Sequence, residues 1–99
     1  MKNRGGSLTR RGNESWAVEV GEALRIRREE SGISQREAGE QFNQAQSVIS
    51  EIETGIRLKP DIYIAYAHML GADLAITFRN NEAGKAVVGF LLVKKEDTP

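Results

Sequence analysis

The chain has 99 residues, 39% of them hydrophobic, which is enough for one small domain with a single core. It contains no cysteine, which excludes disulfide staples, thiolate metal sites and thiol nucleophiles and points to a reducing cytoplasm. Formal net charge is zero, yet residues 1–13 hold Lys2, Arg4, Arg10 and Arg11 with no acid, so a basic arm precedes a mildly acidic body.

That arm, "MKNRGGSLTRRGNES" (residues 1–15), has three glycines and almost nothing apolar, a composition that cannot hold itself in a core. From Trp16 onward, Trp16, Val20, Ala23 and Leu24 recur at helical spacing. Asn13 or Ser15 is available as N-cap, and Gly32 as the stop. A second, short helix, "SQREAGEQF", opens on Ser34 and Glu37, which have the spacing of a capping box, and ends near Asn43, a residue that tolerates the left-handed conformation of a tight turn.

The third helix, residues 45–54, has a divided wheel. Ala45, Val48, Ile49 and Ile52 fall within an arc of roughly 100°, the width of a core-facing stripe, while Gln46, Ser47, Ser50 and Glu51 face away. Gly55 closes it. The loop "IRLKP" leads to a fourth helix, "DIYIAYAHML", ended by Gly71. The period then changes from helical to twofold: Leu74, Ile76 and Phe78 alternate with Ala75 and Thr77. "AVVGFLLV" (86–93) is a second β-rich run, and "RNNEAGK" between them has the composition of a turn, so a hairpin is the simplest joining. Two strands do not make an independent sheet. The same apolar run falls well short of the ~20 residues that cross a bilayer, and no signal-peptide pattern opens the chain, so a soluble, cytoplasmic protein without a membrane partner is expected.

Two short helices joined by about three residues, the second with a split wheel, have the organisation of a helix-turn-helix, whose second helix enters the DNA major groove. The stretch "LRIRREESGISQREAGEQFNQAQSVISEIETGIR" resembles the Cro and phage-repressor family of helix-turn-helix domains, the xenobiotic-response-element type. The resemblance covers residues 20 to about 74 and rests on Arg28, "SGISQ", the small Gly39, the S-x-I-S-x-I-E-x-G run from Ser47 to Gly55, and "AHMLGADL". Asn43 stands where the family usually has a turn glycine, and Gln44 where it has an apolar residue.

The resemblance implies a structural ion pair between Arg28 of helix 1 and Glu53, which lies at the edge of the apolar arc. It also implies base contact by Gln46, with Gln35 buttressing that contact and touching phosphate. The chemistry of the residues agrees: a glutamine amide can bond both N6 and N7 of adenine, serines such as Ser47 and Ser50 can bond bases or phosphates, and Glu51 can accept from cytosine N4. Arg57 and Lys59 suit phosphate contacts that set register, and Arg36 is placed to add another. Arg25 and Arg27 are expected to pair with Glu22, Glu29 and Glu30 on the helix surface. The strand "ADLAITF" resembles the arrangement in HipB-like antitoxins, which implies pairing with a second copy; Leu74, Ile76 and Phe78 are then the expected dimer face.

Other chemistries lack support. His68 is the single histidine, so no histidine metal cluster can form and a Ser/His/Asp arrangement has no support nearby; it reads as a helix-surface residue. Tyr63 and Tyr66 read as core or dimer contacts, and "RNNEAGK" lacks the spacing of a phosphate-binding loop. The expected fold is mainly α: a four- to five-helix, repressor-like domain over residues 16–72 with a C-terminal β extension over 73–99. The expected function, without enzymatic activity, metal or cofactor, is a homodimeric double-stranded-DNA-binding regulator, a repressor reading an inverted repeat. The alternative is an antitoxin that autoregulates its operon and binds a toxin protein.

Overall fold

The computed structural model describes residues 15–80, 82–84 and 86–95. The expected arm lies outside the described residues except for Ser15, as does the alternative cap Asn13. The elements are α1 (Ser15–Glu30), α2 (Gln35–Phe42), α3 (Gln46–Thr54), α4 (Pro60–Met69), β1 (Ala72–Asn80) and β2 (Ala86–Lys94). Four helices and an antiparallel hairpin thus make up the described part of the chain.

Local chemistry sets the breaks between helices. Gly32, at φ +74°, ends α1: its N–H bonds the Glu29 carbonyl at 3.0 Å, and the Ile33 N–H reaches the Arg28 carbonyl at 3.2 Å. At the start of α2 the Ser34 hydroxyl accepts from the Glu37 N–H (3.0 Å), and the Ser34 N–H donates back to the Glu37 carboxylate (2.9 Å). Those bonds, the backbone one foremost, hold the Glu37 carboxyl below the usual carboxylate range. Asn43, at φ +59°, takes the left-handed position that ends α2, and the Gln44 N–H closes on the Gly39 carbonyl at 2.8 Å. Ala45, expected on the buried arc, instead precedes α3 as an extended, exposed N-cap, because the turn uses it before the helix begins.

The layers meet where side chains are smallest. A Cβ on Gly21 would lie 2.4 Å from the Ile52 carbonyl oxygen and 2.8 Å from that of Glu53, so α1 and α3 approach backbone to backbone there. Gly39 is pressed in the same way against the turn, its missing Cβ 2.7 Å from the Gln44 carbonyl oxygen. Val20, Leu24, Ile49, Ile52, Tyr63 and Tyr66 fill the space between α1, α3 and α4 and are fully buried. Burying an aliphatic side chain of this size contributes ~1.5–3 kcal/mol.

The hairpin completes this core. Its register sets Leu74 opposite Leu92, Ile76 opposite Phe90 and Phe78 opposite Val88. Leu74 is buried within the subunit's own core, and Ile76, Val88, Phe90 and Leu92 pack partly against it. Phe78 remains 55% exposed but sets its ring edge on Trp16, with centroids 5.9 Å apart. The face expected to await a second copy is therefore turned largely toward the helices, since β1 starts three residues after α4 and folds back against it, which lays β2 on α1.

Candidate nucleic-acid interface

The ion pair implied for Arg28 and Glu53 is present and forms the base of the site. Arg28 donates from Nε to Glu53 Oε2 (2.7 Å) and from Nη2 to Oε1 (3.1 Å), a fork of two bonds, while Nη1 holds the Ile33 carbonyl (2.7 Å). Two further donors reach the same carboxylate: the Gln35 amide at 3.1 Å and the Tyr66 hydroxyl at 2.8 Å. Burial alone would push the Glu53 carboxyl up. The bonds from Arg28, Gln35 and Tyr66, with the guanidinium charge, outweigh it and hold the group below its usual range. Arg28 is pushed up in turn by its bond to Glu53. Burial, reinforced by the bond to Glu53, raises Tyr66 as well and keeps the phenol neutral.

This network fixes the roll of α3 about its axis. Ile49, Ile52 and Glu53 point inward, and the opposite face presents Gln46 and Ser47 exposed with Ser50 and Glu51 half-buried beside them. The four expected base-reading residues therefore share one outward surface. Gln35, expected to buttress Gln46, has its amide engaged with Glu53 in the free protein, where it braces the ion pair.

The cations around this face are held in different ways. Arg57 donates from Nε to Glu51 Oε1 at 2.8 Å, and its carbonyl accepts from the Tyr63 hydroxyl at 2.6 Å. Burial pushes the Tyr63 phenol up to about 12. Arg36, on the exposed side of α2, lies 3.6 Å from Glu40. Lys59 is exposed at the start of α4. Arg25 pairs with Glu22 and Glu29 as expected. Arg27 does not: its Nε and Nη2 bond the carbonyls of Leu70 and Gly71, both at 2.9 Å, so it caps the C-terminus of α4. Tyr63 and Tyr66 are core residues, and His68 is exposed beside Lys95 (3.0 Å).

Two contributors escape a reading of sequence alone. Tyr66 acts on Glu53 from another helix, and Gly21 sets how close α1 lies to α3. A glycine inside the apolar stripe of a helix was the available signal for the second, since it costs about 1 kcal/mol relative to alanine and is kept where backbones meet. Among the described residues no group of acidic or histidine side chains could hold a metal ion, and no helix is long and apolar enough to cross a membrane.

The arrangement, a braced helix showing a polar face beside basic side chains across a tight turn, is the geometry with which a helix enters a major groove. No curated protein and no solved structure matches the chain. The family model described as "Helix-turn-helix domain" matches residues 19–76, more than half of the chain, from within α1 into β1. The chain therefore belongs to the helix-turn-helix domain family, a family of DNA-binding regulators.

Proposed function

We propose that the protein is a homodimeric transcription repressor that binds an inverted repeat in duplex DNA, with α3 as the reading helix of each subunit. The observation that carries this is the rigid division of α3: Glu53 is locked inward by four hydrogen bonds while Gln46, Ser47, Ser50 and Glu51 share the opposite face. Gln46 reads a base through its amide, while Arg57, Lys59 and Arg36 meet phosphates that position the helix without carrying sequence. The resemblance to the Cro and phage-repressor type supports this division of roles.

A second copy joins through the hairpin. Of the three residues expected at that interface, Leu74 is used within the subunit and Ile76 packs against it, so Phe78 is the part of that face left for a partner. Leu91 and Val93, 63% and 47% exposed, give the hairpin's other face a separate apolar surface, and both outer strand edges are open to pairing. Two half-sites centred about one helical turn, ~34 Å, apart follow from such a dimer.

Selection from random duplexes tests the reading: a palindromic consensus is expected, and its absence would overturn it. Gln46→Ala should cost ~1–3 kcal/mol at one base position, whereas Lys59→Ala should weaken every sequence alike. An adjacent toxin gene would favour the antitoxin reading instead.

A further inference from the structure

The outward face of α3 carries less positive charge than its basic residues suggest. Arg57 gives its Nε to Glu51 Oε1 at 2.8 Å, with both side chains 40% exposed, and Arg36 lies 3.6 Å from Glu40. Two of the three cations flanking the reading helix are thus matched by a carboxylate before any DNA arrives. Attraction to arbitrary DNA comes from cations that displace counterions from phosphates. A guanidinium already facing a carboxylate contributes little of it, and that carboxylate itself repels the backbone.

We infer that Glu51 is a specificity-determining residue that suppresses binding to arbitrary DNA by neutralising Arg57; this rests on the DNA-binding reading above. Arg57 engages only Oε1, which leaves Oε2 as an acceptor. Over a matched site, a cytosine N4 amine donates to Oε2 and compensates the carboxylate, and the Nη donors of Arg57 meet a phosphate. Over an unmatched site Glu51 has no base donor. Its charge then opposes the approach of either strand.

Glu51→Gln separates this role from its rivals, because it removes the charge and keeps the shape. Anisotropy titrations of the full chain against its selected operator and a random-sequence duplex of equal length, from 50 to 200 mM salt, give the readout. The variant should bind the random duplex more tightly, with a salt slope steeper by ~0.9. Its affinity then falls about 3.5-fold more than wild type across that range. The ratio of operator to random affinity should drop, and adding Arg57→Ala should abolish the steepening. Equal weakening on both duplexes would overturn the inference in favour of Glu51 positioning Arg57. A loss confined to one base position with random binding unchanged would overturn it in favour of plain base reading. If wild type prefers its operator but the variant's slope does not change, this inference fails and the DNA-binding reading stands. If wild type prefers no duplex, both fail.

Discussion

Two glutamates on one nine-residue helix, Glu51 and Glu53, each take an arginine through a short bond from its Nε, at 2.8 and 2.7 Å. Their surroundings differ. The Glu53 and Arg28 side chains are 1% and 8% exposed, and two other donors share the carboxylate; Glu51 and Arg57 are 40% exposed and their bond faces solvent. Desolvation makes the first pair costly to break and of little use to a ligand. Solvent screening makes the second cheap to break and open to exchange with one. Position on the wheel, two residues and some 200° apart, turns the same chemistry from a brace into a contact surface.

Arg28→Ala should have the largest effect on stability. It strands the buried Glu53 carboxylate and should cost about 3–5 kcal/mol in denaturant unfolding. A loss under 1 kcal/mol would erase the distinction between the pairs.

Tyr66→Phe sharpens the comparison by removing one donor from Glu53 while leaving the ring in the core, at a cost of ~1.5–3 kcal/mol. It also predicts a pH effect. Because the folded Glu53 carboxyl titrates below its unfolded value, the stabilisation is complete above pH of about 4.3 and is lost as pH falls through the depressed value. With one fewer bond the depression shrinks, so acid unfolding monitored by circular dichroism should begin at a higher pH than in wild type.

Gly21→Ala tests the brace from the backbone side. Its methyl would meet the Ile52 and Glu53 carbonyls, and the shift needed to admit it should cost ~1–3 kcal/mol despite alanine's better helix propensity. Increased thermal stability in this variant would show that the close approach is not needed.

The smallest effect is expected at the exposed pair, where Glu51→Gln should change folding stability by no more than about 0.5 kcal/mol. A larger loss in thermal melts would place Glu51 with Glu53 among the structural residues.

What could be read from the residues was local or implied by resemblance. The capping box of Ser34 and Glu37 and the left-handed stops at Gly32, Asn43 and Gly55 depend on neighbours a few positions apart, and they are where expected. The twofold alternation of Leu74, Ile76 and Phe78 gave the strand, and the structure extends it to Ala72–Asn80. Arg28 and Glu53 are 25 positions apart, and their pairing was available only from the family pattern. Arg27 shows the limit. Its helix-surface spacing to nearby glutamates competes with two carbonyls 43 and 44 positions away, and only the docking of α4 decides for the carbonyls. Likewise, alternation shows that Leu74 shares a face with Phe78 but not which neighbour covers that face; the short link after α4 turns it onto the protein's own helices.

The packing of Trp16 gives the molecule a built-in optical gauge. It is the one tryptophan in the chain, almost fully buried, with the Tyr63 ring of α4 5.4 Å to one side and the Phe78 ring of β1 5.9 Å to another. Indole emission shifts to longer wavelength when water reaches the ring, so its spectrum registers whether the hairpin is seated on the helices. A hairpin that peels away while α1 to α4 persist would redden the fluorescence without changing the helical ellipticity.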